Sequence, residues 1–219
     1  VVSVMGAIEG ETDIAFGNIA GSNLANLGLV LGTAALISPI AIKGQIIRRE
    51  LPLLLLATTT LMIMTLDSQL RGFDPVLDRS DGLVLLLLFG IFVYIMIMNF
   101  FWQEEDPLLS TIASLSPQLD TRTSQAWMFI LVGIFSLGLG GELTITQGVI
   151  LAEILNVSTT IIGMVIIAIG TCLPEFVTSI IAAMRKEADL CVGNVIGSNI
   201  FNILLVLPIS ALVYPLSIP

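Results

Sequence analysis

Displaced along itself by 176 positions, this chain meets a copy of itself. Gly17-Asn18-Ile19-Ala20-Gly21-Ser22-Asn23-Leu24-Ala25-Asn26 then lies over Gly193-Asn194-Val195-Ile196-Gly197-Ser198-Asn199-Ile200-Phe201-Asn202, and the register holds without a gap. Ser3 falls on Ser179, Ala7 on Ala183, Asp13 on Asp189 and Pro39 on Pro215; about 18 of 43 aligned pairs are identical. Unrelated apolar helices resemble one another through Leu and Val, whereas these matches include Gly, Ser and Asn. That is the mark of duplication, and any fold must contain the same unit twice.

The solvent for that unit follows from composition. Hydrophobic residues make up 56% and charged residues 11% of the 219 residues, and mean hydropathy is +1.02. Soluble globules run near 45–50% apolar and about 25% charged, so this is a membrane chain. Its apolar runs are continuous, as in Leu83–Phe101, and lack the alternating segments of about 10 residues that build a membrane β-barrel. At about 20 residues per helix there is room for roughly six or seven spans. The net charge of −9 argues against nucleic acid or an anionic lipid surface as partner. There is no His, so proton coupling would need carboxylates. Cys172 and Cys191 lie in or beside apolar runs, which disfavours a structural disulfide. Val1-Val2-Ser3 reads as the interior of a longer protein.

In chain order, the acidic turn Glu9–Asp13 precedes a span from about Ile14 to Ile42, expected to be interrupted at Gly17–Asn23. Leu51–Leu66 and Leu83–Phe101 are further spans, with Thr58–Thr60 able to bond back onto helix carbonyls and Phe100–Trp102 suited to an interfacial belt. Met62, Met64, Met96 and Met98 are read as lipid-facing or core. A polar linker carrying Pro107 and Pro117 leads to a long helix from Trp127 to about Leu155, whose Gly133, Gly138, Gly140 and Gly141 offer a thin packing face. Glu142 on it is either a packing residue or a pathway lining. The last spans are Thr159–Met184 and Leu190–Val213. The domain reading is thus 1–102 for the first repeat with scaffold helices, 103–125 for a cytoplasmic linker and 126–219 for the second repeat.

Five spans separate the Glu9–Asp13 turn from its equivalent at Arg185–Glu187. Five is odd, so the copies have opposite topology. Lys43, Arg48, Arg49, Arg122, Arg185 and Lys186 then share one face, leaving Arg71 and Arg79 on the other, and the basic face is cytoplasmic. Inverted repeats with broken helices around a midplane site are a transporter architecture.

The site is expected at Gly163–Asn202, where Glu175 stands inside an otherwise apolar run, a costly placement that usually marks function. Pro174 removes a donor and crowds the carbonyl of Gly170, which would partly free the carbonyls of Ala168–Thr171. Such backbone is tolerated only against protein or a cavity. A second break is expected at Gly193–Asn199, and Ser198 and Asn202, four apart, share a face. These ligands are hard oxygens suited to Ca²⁺ or Na⁺; nothing suits zinc. Asn18, Asn23, Asn194 and Asn199 either line the site or rebond broken backbone.

Gly170-Thr171-Cys172-Leu173-Pro174-Glu175, followed by the G-N-x-x-G-S-N-x-x-N motif present in both copies, resembles the cation/Ca²⁺ antiporter superfamily, in particular the prokaryotic sodium/calcium exchanger type. The resemblance implies Glu175 as one of two Ca²⁺-binding glutamates, with the carbonyls of Thr171 and Ala168 serving Ca²⁺ and Na⁺ respectively. Ser22, Ser198, Asn26 and Asn202 would line the remaining positions. It places the first glutamate just ahead of Val1, and further helices beyond both ends. Cys172, where the family has Ser, counts among the implied site residues, and Asn202 stands where some members have Asp. The implied activity is secondary antiport of Ca²⁺ against Na⁺ or H⁺ in a prokaryotic inner membrane, with no catalytic step and no cofactor. A channel would need a continuous wet path, which the apolar flanks Ile161–Ile169 and Ile203–Leu207 oppose. An intramembrane protease would need paired aspartates or a Ser/His arrangement, and the spans have neither.

Overall fold

The computed structural model describes residues 1–40, 46–66, 72, 75–102 and 123–218. Lys43, Arg71, Arg122 and the expected linker up to residue 122 lie outside the described residues, as do the side chains of Phe100–Trp102. The helices are α1 (Val2–Glu9), α2 (Thr12–Ile37), α3 (Leu51–Met64), α4 (Arg79–Trp102), α5 (Thr123–Leu155), α6 (Thr159–Thr171), α7 (Leu173–Met184) and α8 (Ala188–Val213). Among the described residues, Thr12–Ile37, Arg79–Met98 and Ala188–Val213 are each long and apolar enough to cross a membrane, and α6 with α7 forms a fourth such unit bent by 46°. Leu87, Leu131, Phe135 and Ile154 are exposed, as a lipid-facing surface requires. The expected span Leu51–Leu66 is a helix of 14 residues, about 21 Å long against a hydrocarbon core of about 30 Å; a π turn, Ile46–Glu50, lengthens it without a break. Thr58 bonds back to Leu54 O at 2.8 Å, as its sequence position allows.

The duplication is visible atom by atom. Gly10 ends α1 at φ 81°, and its equivalent Lys186 follows α7 at φ 61°. Gly10 N–H donates to Ala7 O and Glu11 N–H to Gly6 O, while Lys186 N–H donates to Ala183 O and Glu187 N–H to Ala182 O, residue for residue 176 apart. The helix that follows each corner then widens into a π turn at the same place, Asn26–Leu31 in α2 and Asn202–Val206 in α8.

The Gly-Asn-x-x-Gly-Ser-Asn segments do not break their helices, contrary to expectation: α-helix runs unbroken through Thr12–Ala25 and Ala188–Phe201. The glycines act through their missing side chains instead. A Cβ on Gly17 would lie 2.7 Å from Thr160 O, and one on Gly21 2.1 Å from Met164 O. Backbone therefore meets backbone between α2 and α6, which is how helices associate in lipid without a hydrophobic driving force. Gly193 and Gly197 have no such neighbour among the described residues. On α5, Gly141 receives Met5 and Val1 of α1 and Gly148 receives Ile167 of α6, while Gly133 and Gly140 face open space. Glu142 is exposed.

The main apolar core joins α2, α3, α4 and α8 through Ile19, Ala57, Leu85, Ile200 and Leu207. One element departs from all-α. Val76–Leu77 pairs antiparallel with Leu216–Ser217, and Ser217 Oγ sits 2.6 Å from Thr12 Oγ1 and donates to Asp13 Oδ1 at 3.0 Å. These contacts tie the chain's end to the start of α2.

Candidate functional site

Cys172 terminates α6, and Pro174 occupies the first turn of α7, where a missing N–H is harmless. The 46° bend there turns the first residues of α7 toward α2 and α8. The result is a cavity of about 350 Å³, lined by Ser3, Asn18, Ser22, Asn26, Thr171, Cys172, Glu175 and Asn202, with Val1, Val2, Gly170, Pro174 and Val206 completing the wall. Six of the eight residues expected from the sequence thus meet here. Ser198 is not among the lining residues; its hydroxyl donates to Asn194 O at 2.7 Å. Ala168 is absent from the wall too.

The expectation of freed carbonyls needs correction. Ala168 O accepts Cys172 N–H at 3.0 Å, and backbone N–H groups at the break also satisfy Gly170 O. Local bonds thus reclaim two of the four carbonyls expected to be freed, those of Ala168 and Gly170. Thr171 Oγ1 lies 3.0 Å from Ala168 O and 3.1 Å from Asn18 Oδ1, with one proton to give between them. It also shares a 3.2 Å contact with Ser22 Oγ, and Cys172 Sγ lies 3.6 Å from Ser22 O.

The amides build the frame, and they do so in pairs. Asn26 Nδ2 donates to Asn199 Oδ1 at 3.0 Å, and Asn202 Nδ2 to Asn23 Oδ1 at 3.0 Å; these bonds exchange places when the copies are interchanged. Asn18 Nδ2 donates to Ser3 Oγ at 2.8 Å, and Asn194 Nδ2 to Ser179 Oγ at 3.0 Å, a second equivalent pair. Asn194 reaches Glu175 O as well, at 3.2 Å, pinning the backbone that carries the carboxylate. Interhelical bonds of this kind average about 0.6 kcal/mol in membrane proteins, so their role is register more than gross stability. The sequence left the asparagines between lining and repair; the structure has Asn18 lining the cavity and Asn23, Asn194 and Asn199 in the frame. Ser3 was missed as a lining residue, although its identity with Ser179 in the repeat was the available signal.

Two oxygens remain without partners. Glu175 Oε2 and Asn26 Oδ1 are both buried and accept nothing, although Asn26 is only 1% exposed. Buried polar atoms are almost always paired, and leaving one unsatisfied costs on the order of 1–3 kcal/mol, more for a charged group. Among the described residues the unpartnered buried side-chain atoms are both acceptors, on residues that line one cavity, which describes a place for a cation. Carboxylate, amide and hydroxyl oxygens are the donors that hard cations take. Among the described residues no three His, Cys, Asp or Glu side chains stand together, so the set does not resemble a zinc centre.

The comparisons agree with this chemistry. Residues 1–98 and 125–219 match the family model described as sodium/calcium exchanger protein. The putative antiporter CaxA of Alkalimonas amylolytica is 39% identical over 220 residues, covering 98% of this chain and 65% of that protein. Inner membrane protein YrbG of Escherichia coli is 33% identical over 218 residues, again covering 98% of this chain and 65% of that protein. This chain therefore spans just under two thirds of the length of either relative. The solved sodium-calcium exchanger NCX_Mj superposes with a TM-score of 0.62 at 30% identity, over 99% of this chain and 67% of that one. An H⁺/Ca²⁺ exchanger, CAX, shares the fold at a TM-score of 0.78 and 20% identity, over 100% of this chain and 58% of that one. The chain belongs to the sodium/calcium exchanger family.

Proposed function

We propose that the protein containing this chain is a secondary antiporter of a prokaryotic inner membrane, carrying Ca²⁺ one way and Na⁺ or H⁺ the other. The observation that carries the reading is the pair of buried, unpartnered oxygens, Glu175 Oε2 and Asn26 Oδ1, in one cavity between the duplicated helices. A cation bound between them would give both a partner, and two cations that need the same oxygens cannot both be held. Exchange follows from that competition. Glu175 supplies the charge, Asn26, Asn202, Ser22 and Thr171 supply neutral oxygen, and the asparagine pairs keep α2 and α8 in register while the bent α6–α7 unit moves. Because the copies have opposite topology, the same site can be offered to either face.

Both counter-ions have support: names among the relatives and solved neighbours include a sodium/calcium exchanger and an H⁺/Ca²⁺ exchanger. Ca²⁺ uptake into vesicles made with the full-length protein separates them. Uptake driven by an outward Na⁺ gradient identifies Na⁺ exchange, and uptake driven only by a proton gradient identifies H⁺ exchange. Flux that persists with neither gradient refutes antiport. Glu175→Gln should abolish Ca²⁺ transport while the protein remains monodisperse, and retained transport would remove Glu175 from the site.

A further inference from the structure

We infer that Cys172 makes this cavity a binding site for a soft divalent cation of calcium-like size, with cadmium as its probe. The inference rests on the cavity being a cation site, as proposed above, and adds a ligand class that oxygen alone would not select. Cys172 is 4% exposed, lines the cavity beside Glu175, and precedes it by three residues, one turn along the chain. Its sulfur lies 3.6 Å from Ser22 O, with the Ser22 and Thr171 side chains beside it. A thiol is a weak donor, so little is lost when the sulfur turns to a metal. The independent sign of a missing ligand is Asn26 Oδ1, buried without a partner in the wall of the same cavity, together with Glu175 Oε2.

Softness decides which cation gains from the sulfur. Glu175 and the amide and hydroxyl oxygens of the wall suit a hard cation, and sulfur suits a soft one. Thiolate, not thiol, is the metal ligand. Cd²⁺, on forming a Cd–S bond, displaces the Cys172 proton, which leaves to bulk water. Ca²⁺ has little affinity for sulfur and cannot drive that ionisation. The same cavity therefore holds Ca²⁺ through oxygen and a soft cation through oxygen plus sulfur, and the two exclude each other.

The experiment uses the full-length protein in detergent and in vesicles, with Cys191→Ser to remove the other buried thiol. Adding Cd²⁺ should raise the ultraviolet cadmium–thiolate band, Ca²⁺ should suppress it, and Cys172→Ser should abolish it. In vesicles, the Cd²⁺ concentration that halves Ca²⁺ flux should rise by roughly tenfold or more in Cys172→Ser, relative to the Ca²⁺ concentration needed, once the thiolate preference is gone. Equal Cd²⁺ potency in the two proteins overturns the inference. A ¹¹³Cd resonance from protein with Cys172 in place supplies a reading that needs no change at that position: a one-sulfur shift supports the inference and an all-oxygen shift overturns it. If the band depends on Cys172 and yields to Ca²⁺ but no Ca²⁺ moves across the membrane, the soft-cation site stands and the antiport reading fails. If Ca²⁺ is exchanged and no thiolate band forms, the reverse holds.

Discussion

At Gly21 a single hydrogen atom decides whether two helices can touch. A Cβ there would stand 2.1 Å from the backbone oxygen of Met164 and 2.7 Å from its carbonyl carbon, and backbone has no rotamer by which to step aside. Gly21→Ala should therefore push α2 off α6 and destabilise the protein by on the order of 3 kcal/mol, the upper range for overpacking. Gly90→Ala, on a face of α4 with nothing within 4 Å, should change stability by less than about 0.5 kcal/mol. Thermal unfolding in detergent compares the two, and equal effects would mean that α2 and α6 do not meet through Gly21. The same scale explains an error in the sequence reading. Gly-rich segments were read as helix breaks because glycine weakens helices in water; in a bilayer an unpaired carbonyl is so unfavourable that the helix stays whole, and glycine is used for proximity.

Between elements, the decisive geometry is the 46° bend joining α6 to α7. Pro174 sets it by occupying the first turn of α7, and Glu175 follows directly. Pro174→Ala restores a donor and lets the two helices straighten, moving the carboxylate off the partners it should serve. Transport should fall by about a hundredfold, the penalty for a misplacement near 1 Å, while thermal stability stays level or rises. A parallel loss of both would make Pro174 a folding residue instead. The bend was legible because Gly-Thr-Cys-Leu-Pro-Glu is local chemistry, whereas the meeting of Ser22 and Asn26 with Thr171, Cys172, Glu175 and Asn202 was implied only by the family resemblance. What the sequence could not show was which partner each polar group takes. Ser198 has the same neighbours in sequence as Ser22, yet it bonds to its own helix while Ser22 reaches Thr171. That difference comes from α6, which packs against α2; no described helix takes the same place beside α8.

For the molecule as a whole, the parity of crossings is the claim with most at stake. The corners at Gly10 and Lys186 share conformation and hydrogen bonds, yet opposite topology puts them on opposite faces of the membrane. A cysteine introduced at Glu9 and another at Glu187, in separate proteins, should react with a membrane-impermeant reagent from opposite sides, with Glu187 on the cytoplasmic side beside Arg185. Native Cys172 and Cys191 are buried and should not interfere. Labelling of both from one side would refute the inverted arrangement. The repeat was legible because self-similarity needs no tertiary detail, and the parity of crossings rests on the labelling experiment. The strand pair Val76–Leu77 with Leu216–Ser217 was not legible: two residues carry no periodicity, and only the tertiary meeting of these two segments creates it.

The asparagine crossing has a consequence for ancestry. Asn26 bonds Asn199 while Asn202 bonds Asn23, both at 3.0 Å. Each bond thus joins one copy's third motif asparagine to the other copy's second. A contact in which residue i meets j while j meets i is the isologous kind that two identical subunits make about a two-fold axis. A half-length chain bearing this motif once could therefore form the same crossing with a second molecule of itself, before any fusion joined the copies.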